Sequence, residues 1–547
     1  MSGRATSLHW WINWPRACSL VLALGLSTAA LADELLVASN SEFSTALAAA
    51  ESGDVIRLAP GVYSGGFSRS GLSGVTITSV NPEQPAVFQG GSFGLQLSDA
   101  TSVTLEHLIF EGQTGNGLNI DDGGSYETPS TDITLRHLTV RDMQQGGNFD
   151  GIKLSGVTGF MIDRVLVENW GSGGSAIDPV GSHNGVIQNS IFRHASGASS
   201  GVRPKGGSKN IAIYANRFEM GAGEGRAIQA GGSTGPEYFR FIDGDSDYEA
   251  ANIVAAGNIV VGALAPVSWV NIDGGVFHHN WLQNTGKWTM RILNENAGNN
   301  IVDTQNGVLV DNVIEYDSTA GWSRAANVGA ETLPDTFTFA RNQWQNAGGA
   351  TNIDLPTTEI DGVYGAINVP RVGDQIRWDF PWGHWVVNAS PNQANEAMEI
   401  AGSPNLLVAT PGENAHFDPL AADPLTGDWS FTPLENNEVT LSPQSQMILV
   451  LPGVSSAIPQ LPGDYDRNAV VDAEDYRLWK QQFGHTGTPL ADGNGSGIVD
   501  LADYTIWRDQ LAVASRLPGD SQMHSVPEPS SIACTAMCVA VYLVMAR

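Results

Sequence analysis

Six cations crowd one stretch of a chain that is otherwise strongly acidic. Arg203, Lys205, Lys209, Arg217, Arg226 and Arg240 lie between Ser200 and Arg240 against only Glu219, Glu224 and Glu237. The 547-residue sequence as a whole carries 27 Lys and Arg against 57 Asp and Glu, a formal charge of −30. A basic island on an acidic protein is a field suited to capturing an anionic polymer such as a uronate polysaccharide. The negative remainder repels nucleic acid and anionic membrane surfaces, so neither is an expected partner. Within such an island a lysine has a lowered pKa and can serve as a base, whereas a guanidinium stays charged. β-Elimination at a uronate needs that division: a base for the C5 proton, positive charge for the enolate-like state, and an acid for the leaving oxygen. Lys205 and Arg226, 21 residues apart, are candidates for this pair, with Arg203 and Arg240 expected to hold substrate carboxylates.

Other polar clusters suggest other chemistry. Asp150 and Lys153 in NFDGIKLSG, and Asp178 with His183 and His194, precede the island and could line the same groove. Paired carboxylates there, Asp150 and Asp178, could instead hydrolyse a glycosidic bond. Asp243, Asp245, Asp247 and Glu249 offer alternating hard oxygen ligands suited to calcium, or form a metal-free acidic loop. Downstream, Asp273, His278, His279, Lys287, Trp288 and Arg291 could supply substrate subsites, with Trp288 stacking on a sugar ring. No H-E-x-x-H, G-x-S-x-G or Walker sequence occurs.

Whatever positions these residues must be repetitive. Short runs with apolar residues at i and i+2 recur as VTLEHLIF from Val103, ITLRHLTV from Ile133, VIQNSIF from Val186 and VLVDNVI from Val308, among others. A polar corner residue interrupts each: His107, His137, Arg164, Asn189, Asn216, Asn258, Asn280, Asn312 and Asn342. Period-2 patterning means half-buried strands, and units this small must stack to cover their apolar faces. Recurrent asparagine suits a left-handed or side-chain-bonded corner whose amides bond up a column. Glu42–Glu51 reads as a short helix, N-capped by Ser41, covering the open end of the stack. This opening and the corner asparagines resemble the pectate-lyase-like superfamily, from about Asp54 to about Trp344. The resemblance implies an all-β, right-handed parallel β-helix over residues 33–375. Residues 376–455 are expected to form terminal rungs or a β-rich extension.

The K-x₂₀-R spacing of Lys205 and Arg226, with Lys209-Asn210 and Asn216-Arg217-Phe218 between, is similar to the alginate-lyase and chondroitinase-B polysaccharide lyases. That resemblance implies Lys205 as base and Arg226 as acid; Arg203, Arg240, Asp150, Lys153, Trp288 and Arg291 are expected around the substrate from the charge and polar clusters above. The chain departs from the family pattern in having Ala227-Ile228 where His-Gly follows the arginine. A glycoside hydrolase and a non-catalytic polysaccharide-binding surface protein are the rival readings, because fold alone does not select among them.

Two copies of one twelve-residue motif, 28 residues apart, follow a linker. The oxygen-bearing positions are Asp464, Asp466, Asn468, Asp472 and Asp475, then Asp492, Asn494, Ser496, Asp500 and Asp503; Val470 and Ile498 would contribute backbone carbonyls. Each copy leads into a YxxW helix, and residues 456–515 resemble a type I dockerin. This implies bound Ca²⁺ and, as an alternative to a purely structural role, a cohesin-type partner. Arg4 and Arg16, the apolar run Ser19–Leu26 and Ala30-Leu31-Ala32 read as a secretory signal over 1–32. The end, residues 516–547 with Pro527-Glu528-Pro529 and an apolar stretch, resembles a PEP-CTERM sorting signal. The chain is therefore expected outside the cytoplasm, touching membrane only through that tail before processing. Cys18 falls in the leader and Cys534 and Cys538 in the tail, so no disulfide framework is expected.

Overall fold

Strands three to seven residues long, with alternate side chains buried, set the architecture. Leu95–Ser98, Leu118–Asp121 and Ile152–Ser155 each turn two aliphatic side chains fully inward and two polar ones outward. In the computed structural model the described residues are 33–194, 200–221, 225–244, 246–296, 300–390, 397–400, 406–412, 415–417, 419, 424–434, 438–451, 463, 465, 473–484, 491, 493 and 498–514. The strands stack in three parallel sheets of 13, 10 and 12 strands, each complete rung giving a strand to every sheet and the end rungs being partial. The chain is a right-handed parallel β-helix, as expected. One continuous apolar core runs through it from Val37 to Trp344.

The recurrent corner proves to contain two kinds of position. His107, His137, Arg164 and Asn189 have φ between 50° and 54° and make the left-handed turn. In later rungs that turn is made by Ala215, Gly257, His279, Asp311 and Arg341. Asn216, Asn258, Asn280, Asn312 and Asn342 each follow it by one residue, so spacing alone merged two neighbouring positions into one. These five form the expected column: every Nδ2 donates to the Oδ1 of the next, at 2.9–3.1 Å, and the last donates to Glu359 Oε1 at 2.8 Å. The second amide hydrogen goes to a backbone carbonyl, as from Asn258 to Ile213 O, so these buried amides are satisfied along the stack. Gly257 has a further reason to lack a side chain: a Cβ there would lie 2.5 Å from the Trp385 ring.

The capping helix spans Asn40–Ala49 and is capped by Ser39 rather than Ser41, its Oγ accepting from Glu42 N. Glu42 in turn accepts from Ala38 N at 2.7 Å, a reciprocal cap. Phe43 seals the core end against Phe67 and Phe88. Parallel pairing ends at Val363–Tyr364. From Arg371 to Val450 the chain forms an antiparallel six-stranded sheet, hence a β-rich extension and not further rungs. Trp378, Trp385 and Ile448 of this sheet pack on Tyr214, Ala256 and Trp281 of the β-helix. Two helices, Ala473–Gln482 and Leu501–Ala514, pack around Tyr465, Trp479, Tyr504 and Trp507. Among the described residues no helix is long and apolar enough to cross a membrane. The leader and sorting-signal segments lie outside the described residues.

Candidate active site: a charged row on the ten-stranded sheet

Register decides which side chains meet. On the ten-stranded sheet Asn119 pairs with Lys153 and Lys153 with Asp178. Ile177, Val202, Ile228 and Val267 are inward partners in successive strands. The residues after them, Asp178, Arg203, Gln229 and Ser268, therefore stack outward, and Ser268 pairs with Arg291. Residues up to 172 positions apart in sequence, from Asn119 to Arg291, thus form one row, at about 4.8 Å per rung. Lys153, Arg203 and Arg291 lie along this row, with Asp150 beside Lys153 at one end and Arg291 several rungs away at the other.

Asp178 is the hub. Its carboxylate is fully buried and meets Lys153 Nζ, Lys205 Nζ at 3.3 Å and Arg203 Nε at 3.4 Å. Burial by itself would raise its pKa; Lys153, Lys205 and Arg203 overcome that and hold it well below the usual carboxylate range. Asp150, also buried, accepts from Ser175 N at 2.7 Å and lies 3.5 Å from Lys153 Nζ. Burial, then the Asp178 charge, pushes Asp150 up to about 6.

Lys205 and Arg226 converge on this row from neighbouring rungs. Lys205, beyond the end of its strand and bridged to Val180, leans back to Asp178. Arg226, opening the next strand, leans forward so that its Nε donates to Gln229 Oε1 at 2.8 Å. Asp178 and Gln229 are two rungs apart, so the two side chains anchor about 10 Å from one another with Arg203 between. Burial lowers Lys205; Asp178 opposes, while Arg203 and Lys153 add to the lowering. Burial and then Arg291 lower Arg226 to about 10. Arg291 keeps a buried Nε with no hydrogen-bond partner, and its guanidinium lies 5.6 Å from the Trp288 ring centre. Lys287 Nζ lies 4.5 Å from the same ring.

Several expected site residues are used elsewhere. Arg240 does not face the row: its guanidinium donates to Thr158 Oγ1, Gly181 O, His183 Nδ1 and Tyr126 O, which ties a long loop to the helix wall. His183 is buried, with Nε2 3.1 Å from Gly207 O, and burial and Arg240 lower it to about 4. His194 Nε2 is 2.9 Å from Trp170 O. His278 and His279 sit at the seam with the antiparallel sheet, where His279 packs on Phe380 and Trp378. Asp273 bonds Gln305 and Asn306 on another sheet.

The described residues of the acidic loop do not gather as a cation site. Asp243 accepts from Lys209 Nζ at 2.6 Å and from Tyr248 and Ser246. Glu249 turns inside and accepts from Gly206 N, Thr234 N, Thr234 Oγ1 and Asn296 Nδ2 at 2.7–2.8 Å. Asp245 is outside the described residues. Among the described residues no group of three His, Cys, Asp or Glu is placed to hold a metal.

Of the twelve loop ligands named from sequence, Asp464, Asp466, Asn468, Val470, Asp472, Asp492, Asn494 and Ser496 lie outside the described residues. Asp475 and Asp503 are described and fully buried. Asp475 Oδ1 accepts from Tyr465 N at 2.6 Å, and Asp503 Oδ2 accepts from Asp500 N at 2.8 Å. Asp500 Oδ1 accepts from Ala502 N, and Ile498 lies at the foot of the second helix.

Sequence reading missed Gln229, whose signal was a lone amide in the apolar strand RAIQAG. It also missed Asp121 and Asp122, which lie beside Lys153 and Lys205 in a cavity of 720 Å³.

Fold and row together define a parallel β-helix protein with a charged groove on one sheet. Among solved structures, the chain is similar to an alginate lyase from Paenibacillus sp. str. FPU-7 (18% identity, 54% of this chain and 97% of that one, TM-score 0.36). It is also similar to the A-module of the Azotobacter vinelandii mannuronan C-5 epimerase AlgE6 (12%, 61% and 97%, TM-score 0.42). A third likeness is to a polygalacturonase from Erwinia carotovora ssp. carotovora (14%, 59% and 96%, TM-score 0.38). Likenesses this low carry neither substrate nor mechanism to this chain. No family model and no curated protein matches it.

Proposed function

We propose that the protein is an extracytoplasmic polysaccharide lyase that cleaves a uronate-containing polymer by β-elimination. The observation that carries this reading is the convergence of Lys205 and Arg226 on one buried, cation-rich row. In its neutral form Lys205 takes the C5 proton, and the carbanion electrons pass into the sugar carboxylate. Arg203, Arg226 and Arg291 stabilise the resulting dianionic state in a partly buried site, where their charge is less screened than in bulk water. The electrons return to form a C4–C5 double bond as the C4–O bond breaks. Arg226, whose pKa is lowered to about 10, is a better proton donor to the departing oxygen than an ordinary guanidinium. Exchange with solvent then restores both side chains. Turnover is expected to rise with pH as Lys205 loses its proton.

The test is ultraviolet absorbance of the unsaturated product across uronate polymers. Lys205→Ala and Arg226→Ala should each lose on the order of 10²–10⁴ in turnover while polymer binding survives. Full turnover with both replaced would exclude the assignment.

Hydrolysis has one observation in its favour: the pKa values of Asp150 and Asp178 are driven apart, as in a carboxylate acid–base pair. Against it, Asp178 is fully buried and engaged by three cations. New reducing ends without absorbance would favour that reading.

The C-terminal module is proposed to be a dockerin-like calcium-binding unit. Its support is the duplicated loop and the two buried position-12 aspartates, Asp475 and Asp503, on a small aromatic core. Ligands that bind only the folded form stabilise it, so millimolar calcium should raise the melting temperature of this module in the full chain. An unchanged melt would rule the proposal out.

A further inference from the structure

The groove is not uniformly basic. Beyond Lys205 towards the N-terminal rungs lies the 720 Å³ cavity, lined among others by Asp121, Asp122, Tyr126, Lys153, Lys205 and Tyr238. Its two lysines already face acids, Lys205 meeting Asp178 and Lys153 meeting Asp178 and Asp150. Among the described residues its two aspartates have no cation in ion-pair contact, although the charge of Arg240 acts on Asp122 from farther off. Asp121 accepts from Gly123 N and Gln96 Nε2. Asp122 is 3% exposed; Oδ1 accepts from Gly124 N at 3.0 Å, while Oδ2 is buried with no hydrogen-bond partner. A buried acceptor left open in this way is costly unless a donor reaches it.

We infer that this cavity is a subsite for an uncharged hexose, and that Asp122 makes it reject a second carboxylate. The inference rests on the lyase reading of the adjoining row and names its substrate more narrowly: a polymer in which the cleaved uronate has a neutral hexose neighbour. Sugar hydroxyls can donate to the half-buried Asp121 carboxylate and, once the wall opens slightly beside Gly156, to Asp122 Oδ2. A uronate in the same place would bring a third negative charge against Asp121 and Asp122. At about 4 Å, like charges in a partly buried site repel strongly enough to lower affinity by on the order of 10²-fold or more. The aromatic edges fit the same occupant: Tyr126 and Tyr238 are 44% and 58% exposed at the rim, where an amphipathic ring can stack on a sugar face. The rim is also braced, because Tyr126 Oη donates to Glu237 O at 2.5 Å and Arg240 Nε to Tyr126 O at 3.3 Å. A divalent cation is a poorer occupant, since two lysines share the cavity. The surplus cations, Arg203, Arg226 and Arg291, lie on the other side of Lys205, where the reacting carboxylate would sit.

The experiment compares oligosaccharides that alternate uronate with neutral hexose against homopolymeric uronates of equal length. The full chain should prefer the alternating series at least tenfold in kcat/KM. Asp122→Asn should narrow that gap by raising kcat/KM on the homopolymer, and Tyr238→Ala should raise KM on the alternating series. Equal or better cleavage of the homopolymer by the unmodified protein would overturn the inference. Calorimetry with a neutral hexose disaccharide decides independently of turnover. Binding weakened severalfold by Asp122→Asn or Tyr238→Ala supports the subsite, and binding absent at millimolar sugar, or indifferent to both changes, refutes it. If that binding holds but neither series yields unsaturated ends, the lyase reading has failed and the subsite stands.

Discussion

Two outward rows of the same solenoid handle charge in opposite ways. On the twelve-stranded sheet Glu111, Arg141, Glu168, Arg193 and Glu219 succeed one another in register, alternating in sign. Arg193 bridges Glu168 at 2.7 Å and Glu219 at 2.5 Å, and both Arg141 and Arg193 remain more than a third exposed. On the ten-stranded sheet two buried carboxylates face the cations, Asp178 meeting Lys153, Arg203 and Lys205 and Asp150 lying beside Lys153, and Arg226 and Arg291 lie beyond them with no carboxylate of the row in contact. The first arrangement neutralises itself rung by rung and needs no ligand. The second buries charge at a desolvation cost that its own groups offset only in part, and an anionic substrate would complete it. Matched charge marks a structural edge, and unmatched buried charge marks a site.

Removing the hub should have the largest effect on stability. Asp178→Asn leaves Lys153, Arg203 and Lys205 without their shared counter-charge, and loss of one partner from a buried ion cluster costs about 3–5 kcal/mol. A thermal melt within a degree of the parent protein would contradict the role given to Asp178.

A smaller effect is expected from Asp150, visible as pH dependence. Its folded pKa, about 6, lies above the unfolded value, so the native state binds the extra proton between about pH 4 and pH 6. Its contribution therefore favours folding at the acid end of that window and is lost as pH rises through it. His183 and His279, both lowered to about 4, act in the opposite sense over an overlapping range. The difference between parent and Asp150→Asn in denaturant melts at pH 4 and pH 6.5 isolates the carboxyl. The variant should lose the component that falls with pH, and identical slopes in the two proteins would refute it.

The smallest effect belongs to the matched row. Arg193→Ala should cost no more than about 1 kcal/mol, as for exposed ion pairs in general, and leave turnover unchanged. A loss comparable to that of Asp178→Asn would erase the distinction between the two rows.

Periodicity was legible in the chain alone. Alternating apolar pairs and a polar corner every few tens of residues are local patterns, and local patterns survive without knowledge of the fold. The solenoid and the cap over its open end followed from them. What spacing could not supply was register. Rungs differ in length, 22 residues between Asn258 and Asn280 but 42 between Asn216 and Asn258, so counting periods does not say which side chains are neighbours. For that reason the left-handed corner and the asparagine column were merged, although they are adjacent positions. The 42-residue rung also contains the loop that carries Arg240 away from the row and onto Thr158 and His183. Charge in a sequence is only a count, whereas its meaning depends on burial and on the counter-charge within reach. The basic island was visible as composition. Only the tertiary structure decided that Asp178 gathers Arg203 and Lys205 from that island together with Lys153, that Gln229 takes Arg226, and that Asp122 keeps an oxygen with no partner, because parallel stacking sets those contacts between distant segments.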